Sequence, residues 1–368
     1  MNEMDPIIIV GIFVLIALIF EYSNGFHDAA NALATTVSTR ALSPKNTIIL
    51  GVTFEFLGAV IVVHLTMLLG SIPFFKPVTD TIGKIVHLPA VGSSMETGAT
   101  FSLESLALIV GIGLLSAFLW NLITWKFGIP SSSSHALIGG VCGASFVAFG
   151  AGVIQMNVVM IAVLSLIISP FIAIPVAFLL MKFLLHLVRY STPDVAERFR
   201  KGLIISSAAF AFSHGANDGQ KTMGIIALFL LSAGMLQLSP TGLIYPPLWV
   251  ILICSFAMAL GVGTGGWKIM KTVGSKIFKM RYEHGFNAQT SATAIILANS
   301  FIGLPVSTTH IITTSIMGTG AAQRISAVKW GVGKTLLITW VITIPITFLL
   351  GAIIYTIAAL IFHAPLIF

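Results

Sequence analysis

Along this chain long hydrophobic runs alternate with short polar stretches, and some polar stretches interrupt a run instead of separating two. The apolar runs cover residues 6–20, 47–69, 103–127, 136–149, 158–188, 203–236, 248–262, 288–302, 311–320 and 336–361. Such runs read as helices in a membrane. The first passes into Glu21-Tyr22-Ser23-Asn24-Gly25-Phe26-His27-Asp28-Ala29-Ala30-Asn31 and then resumes to Val37. The run 203–236 carries Ser213-His214-Gly215-Ala216-Asn217-Asp218-Gly219-Gln220-Lys221. Its 34 residues would make a straight helix about 51 Å long, against roughly 30 Å of hydrocarbon. Both polar stretches are therefore expected to break their helices.

Two further interruptions match each other. Gly128-Ile129-Pro130-Ser131-Ser132-Ser133-Ser134-His135 and Gly303-Leu304-Pro305-Val306-Ser307-Thr308-Thr309-His310 give glycine, proline, hydroxyls and histidine in one order, once per half. Irregular backbone at membrane depth is tolerated only against protein or a water-filled cavity. Each loop is thus predicted to be the turn of a re-entrant hairpin, and the two turns are predicted to meet. Residues 70–102, with Pro73, Pro77, Pro89, Gly92 and Gly98, read as an external loop holding at most short helices. Pro170 and Pro175 are expected to kink the run 158–188.

Basic residues orient the runs. Arg40 and Lys45, the group Lys182, Arg189, Arg198, Arg200 and Lys201, and the group Lys268, Lys271, Lys276, Lys279 and Arg281 mark cytoplasmic segments. Residues 6–20 follow Glu3 and Asp5, with neither a basic leader nor a small-residue cleavage site, so a retained first span with its N-terminus outside is expected. The last span should also end outside. Each half then holds a broken span, a return span, a hairpin and a closing span, and the halves start from opposite faces. The predicted fold is all-α: a polytopic integral membrane protein with an inverted-topology repeat, broken helices and two re-entrant helical hairpins. The first repeat is expected over residues 1–188, a cytoplasmic linker over 189–201, and the inverted second repeat over 202–368. Secondary transporters are built this way, with the solute at the midplane between repeats.

Composition agrees. The 368 residues are 57% hydrophobic and 8% charged, against about 25% charged in soluble domains. The net charge of +7 sits in short segments between apolar runs, which argues against a nucleic-acid surface. Cys142 and Cys254 stand alone in apolar runs and indicate no disulfide framework or metal motif. No phosphate-binding GxxxxGK[ST] loop is present, so an ion gradient is the expected energy source and no organic cofactor is expected.

Asp28 and Asp218 occupy equivalent places, each beside an amide: Asn31 for the first, Asn217 and Gln220 for the second. A carboxylate at bilayer depth costs about 2.5–3.5 kcal/mol on insertion scales, so a matched pair points to function. Helix capping is the alternative, and an oxygen-lined break that caps a helix also suits Na+. Ser132, Ser133 and Ser134, like Ser307, Thr308 and Thr309, follow a proline and open a helix. Such helix ends present free N–H groups and a positive dipole to an oxyanion. The alternative is hydrogen bonding between membrane helices. His135 and His310 read as structural donors, and Glu55 as an acid that could carry a proton or a cation.

The stretches around Asp28 and Asp218 resemble the paired Gly-Ala-Asn-Asp signature of the inorganic phosphate transporter (PiT) family, and the duplicated Gly-x-Pro loops resemble that family too. The likeness runs through nearly the whole chain in order. It implies a phosphate importer, not an enzyme, driven by Na+ in preference to H+. It further implies a homodimer in the inner cell membrane. By resemblance, Asp28, Asn31 and Asp218 become cation ligands, with Na+ at all three; Glu55, read from its own place within a span, is counted with the cation ligands. Ser132, Ser133, Ser134, Ser307, Thr308, Thr309 and Asn217 become the phosphate cradle, and Gln220, the second amide beside Asp218, is counted with them. Two departures stand out. The first copy reads Gly25-Phe26-His27-Asp28, and the second continues Gly219-Gln220-Lys221, so Lys221 is the counterpart of Asn31. The two halves are therefore expected to bind ions unequally.

Rival readings are an H+-coupled sulfate or metal–phosphate permease, an intramembrane serine hydrolase, and a passive channel. A hydrolase would use Ser134–His135 or Thr309–His310, but adjacent residues on a helix point in different directions.

Overall fold

The structure, a computed structural model, describes residues 5–93, 101–265, 273–274, 277–362, 364 and 366; for residues 29–32 it describes the backbone alone. Lys268, Lys271 and Lys276 of the second basic group lie outside the described residues. Eleven α-helices account for most of the described chain. They are α1 (Pro6–Thr39), α2 (Pro44–Leu69), α3 (Val78–Gly83), α4 (Leu103–Phe127), α5 (Ser133–Phe149) and α6 (Met156–Leu187), then α7 (Val195–Ser232), α8 (Leu248–Thr264), α9 (Tyr282–Phe301), α10 (Thr308–Gln323) and α11 (Trp330–Phe362).

Local chemistry sets many of the ends. Asp5 accepts a hydrogen bond from the Ile7 N–H at 2.9 Å, with Pro6 in the first turn of α1; Ser43 and Pro44 open α2 in the same manner. The hairpin turns follow one recipe. Gly128 and Gly303 take left-handed φ of 65° and 73°, Pro130 or Pro305 follows, and a serine restarts the helix two residues later. Ser132 and Ser307 accept from the N–H groups of His135 (3.2 Å) and His310 (3.4 Å). Replacing either serine by alanine should remove about 1 kcal/mol of stability, read as a lowered unfolding midpoint in detergent.

Helices α1, α2, α4, α6 and α11 are long and apolar enough to cross a membrane. Ile167, Ile168 and Phe171 on α6, with Leu337, Ile338 and Val341 on α11, present an exposed apolar surface suited to lipid. The interior is different in kind. Every residue of α7 from Ser213 to Leu230 is buried, as is all of α5 except Phe146 and Phe149 and all of α10 except Ala321 and Gln323.

Packing follows an exchange of halves. Helix α1 packs on α8 as α2 packs on α7; α5 packs on α11 as α10 packs on α6; α1 lies on α4 as α7 lies on α9. The match extends to single residues. A Cβ on Gly25 would lie 2.2 Å from the Met258 carbonyl oxygen, and one on Gly215 would lie 2.0 Å from that of Glu55. Gly58 faces the Phe212 carbonyl and Gly261 that of Tyr22 equally closely. Corresponding residues of α1 and α7 are thus 190 positions apart (25 and 215, 22 and 212), and those of α2 and α8 are 203 apart (55 and 258, 58 and 261).

The structure departs from some of these expectations. Helices α1 and α7 run unbroken through their polar stretches. The polar side chains there find partners on neighbouring helices, so the backbone keeps its own hydrogen bonds. Helix α7 begins at Val195, so residues 195–201 of the expected linker form its first turns. Residues 70–93 are not simply an external loop. There α3 is largely buried against α7, and the segment rests on the second hairpin turn through Lys76 N–H to Phe301 C=O (3.1 Å) and the Thr81 hydroxyl to Gly303 C=O (2.6 Å). Pro170 and Pro175 lie within a continuous α6.

Candidate functional site

The polar stretches of α1 and α7 converge with the first turns of α5 and α10. Asp28, Asp218, Ser133, Ser134, Thr308 and Thr309 are all 2% exposed or less. A side-chain oxygen of Asp28, one of Asp218 and a ring nitrogen of His214 lie within 4.8 Å of one another. Segments 190 residues apart in sequence thus share one buried centre.

The hydroxyl loops bind the two carboxylates in a matched way. The Ser133 hydroxyl donates to Asp28 Oδ2 at 3.1 Å, and its counterpart Thr308 donates to Asp218 Oδ2 at 3.1 Å. Thr309 crosses between halves, donating to Asp28 Oδ1 at 3.1 Å. Its counterpart Ser134 does not reach Asp218 directly. The Lys221 ammonium lies between them, 2.6 Å from Asp218 Oδ1 and 2.5 Å from Ser134 Oγ, and it also donates to the Val306 carbonyl at 2.7 Å. The main-chain N–H groups of Ser133, Ser134, Thr308 and Thr309 belong to first helical turns, where no intrahelical acceptor exists. Two positive helix ends therefore face each other across two carboxylates, an arrangement able to take up an oxyanion together with a hard cation.

Asn217 and Gln220, expected in the phosphate cradle, are hydrogen-bonded to the scaffold. Asn217 donates to Ser300 Oγ (2.9 Å) and to the Leu304 carbonyl (3.2 Å), and accepts from the Val306 N–H (3.1 Å). It fastens the second hairpin to α7. Gln220 accepts from the Val78 N–H (2.9 Å) and donates to Ala216 C=O (2.7 Å), tying α3 to α7. An amide has both donors and acceptors, which a turn of irregular backbone needs more than an anion does. Asn31 has its side chain outside the described residues.

Glu55 reaches the centre from α2. Its Oε1 is 3.1 Å from His214 Nδ1, and His214 Nε2 is 3.5 Å from Asp218 Oδ2. His27, given no role from the sequence, is the first-half counterpart of Asn217. Its Nδ1 lies 2.8 Å from Asp28 Oδ1 and its Nε2 3.1 Å from Thr124 Oγ1, at the end of the first hairpin's entering arm. Ser131 completes that joint by donating to Thr124 at 2.9 Å. Only the placement of His27 and His214 next to the paired aspartates signalled them in sequence. His135 and His310, expected to be satisfied structural donors, face each other with ring centres 4.8 Å apart, and His310 stacks on Trp340. His135 Nδ1 and His310 Nε2 are buried with no hydrogen-bond partner among the described residues. The hydroxyls that a hydrolase would use are engaged elsewhere. Ser134 is hydrogen-bonded to Lys221 and Val306, and Thr309 to Asp28.

Comparison with known proteins agrees with this geometry. A family model described as "Phosphate transporter family" matches residues 24–351. A "Probable low-affinity inorganic phosphate transporter" of Bacillus subtilis (strain 168) is 42% identical over 361 residues, covering 98% of this chain and all of the relative. A protein of the same description from Rhizobium meliloti (strain 1021) is 38% identical over 95% of this chain and 96% of its own. Among solved structures, "The sodium-dependent phosphate transporter" superposes with a TM-score of 0.78 at 25% identity, over 96% of this chain and 99% of that one.

Proposed function

This chain belongs to the phosphate transporter family, a family of transporters and not of enzymes, and we propose that it imports inorganic phosphate by symport with Na+. The observation that carries this reading is the meeting of two helix N-termini, α5 and α10, on the buried pair Asp28 and Asp218. The N–H groups and hydroxyls of Ser133, Ser134, Thr308 and Thr309 bind the phosphate oxygens, with Ser132 and Ser307 capping the helices that carry them. Asp28 with Asn31 binds the coupling cation, and Asp218 and Glu55 extend the negative lining. Carboxylate and hydroxyl oxygens are hard donors, suited to Na+. A divalent anion in a low-dielectric site needs such compensation. Uphill uptake follows when anion and cation bind together.

Alternating access exposes this site to either side in turn. The exchange-related packing of α1 on α8 and α2 on α7 supports two inverted repeats, residues 1–188 and 202–368, joined at 189–201. The same reading puts the protein in the inner cell membrane with both termini outside, as a homodimer.

The test is radiolabelled phosphate uptake into proteoliposomes. Accumulation is expected with an inward Na+ gradient and should fall to the passive rate when choline replaces Na+. Accumulation in choline driven by an inward pH gradient alone would transfer the coupling to H+. Inhibition by equimolar sulfate would deny selectivity for phosphate.

A further inference from the structure

The two halves bring equivalent acids to the centre but not equivalent cations. Asp28 and Asp218 occupy exchange-related positions, and so do Asn31 and Lys221, three residues further on. Lys221 is 1% exposed. An ammonium has three N–H donors. All three are taken up by oxygens at short range: Asp218 Oδ1 at 2.6 Å, Ser134 Oγ at 2.5 Å and the Val306 carbonyl at 2.7 Å. That oxygen set comprises a carboxylate from one half, a hydroxyl from the other and a backbone carbonyl from the second loop. It is a coordination shell for a monovalent cation, filled by a side chain.

With no N–H left over, Lys221 is poorly placed to donate to an anion entering from the helix ends. Its position also explains a break in symmetry. Thr309 donates directly to Asp28, whereas Ser134, its counterpart, is separated from Asp218 by the ammonium. On the first-half side the corresponding residue is Asn31 and not a lysine, and Asp28 meets His27 Nδ1 at 2.8 Å and the Thr309 hydroxyl at 3.1 Å.

We propose that Lys221 is a resident counter-ion permanently occupying the second of two exchange-related cation positions, so that only the Asp28 position takes a transported cation. This deepens the symport reading above and rests on it. A tethered charge neutralises Asp218 in every step of the cycle but carries no charge across the membrane. Each phosphate is then accompanied by one cation fewer than a site with asparagine in both halves would use.

The experiment counts charge, whatever the coupling ion. Proteoliposomes holding the full chain are clamped with potassium and valinomycin, and the reversal potential of phosphate flux gives the net charge moved per phosphate. Lys221→Asn, which restores the first-half residue type, should move one additional positive charge per phosphate than the wild type. An unchanged charge in a K221N protein that still transports overturns the inference. Failure of the symport reading appears differently, as flux in the wild type that no cation gradient drives. Should K221N not transport, equilibrium binding of radioactive sodium to the purified wild-type protein decides. One ion per chain supports the resident counter-ion; two, or none, overturn it.

Discussion

Replacing Asp28 by asparagine is expected to reduce phosphate uptake by about 100-fold or more while leaving the protein folded. Asparagine keeps the shape of the side chain but removes the charge, and its amide cannot accept from Ser133 and Thr309 with both terminal atoms. A cation bound in this buried site without its carboxylate loses about 3–5 kcal/mol of binding, and each 1.4 kcal/mol is about tenfold. Fold retention would show as an unfolding midpoint close to that of the wild type. The corresponding change at Asp218 should behave differently. Asp218→Asn leaves the Lys221 ammonium buried without its carboxylate, so the midpoint should fall along with uptake. Uptake by D28N within threefold of the wild type would remove Asp28 from the site.

The second large effect is expected at Gly215. A methyl group there would lie 2.0 Å from the Glu55 carbonyl oxygen, and on Gly58, in the same crossing, 1.9 Å from that of Phe212. Both obstacles are backbone, so no rotamer change relieves the contact. Helices α2 and α7 would have to separate along the seam that holds Glu55 against His214. Gly215→Ala should destabilise by about 3 kcal/mol or more, at or above the usual range for overpacking. Gly11→Ala is the control, because nothing lies within 4 Å of a Cβ there and alanine is the better helix former. Thermal unfolding in detergent separates the two: a normal midpoint for G215A would mean that the helices do not cross this closely.

Much of this centre was legible in the residues because helix ends and membrane depth impose local rules. Glycine in a left-handed turn, proline without an N–H and a serine cap define each hairpin turn whatever surrounds it, and both turns form as read. The unbroken course of α1 and α7 was not legible. Whether a polar stretch opens a helix depends on whether lateral partners exist, and those lie about one hundred to three hundred positions away, on the hairpins and on α2. The scaffold roles of Asn217 and Gln220 escaped for the same reason, since their partners Val306 and Val78 are apolar residues that act through backbone groups.

The sequence by itself determined a helical membrane protein of matched halves, with acids and hydroxyl loops inside it, because hydrophobic length, turn chemistry and charge placement are properties of neighbouring residues. Only the tertiary structure decided which oxygen faces which proton. It brought Lys221 between Asp218 and Ser134, gave Asp28 to Ser133 and Thr309, and laid α3 over the second hairpin. Those pairings arise from close helix crossings between halves, and no local pattern along the chain encodes the distance across a crossing.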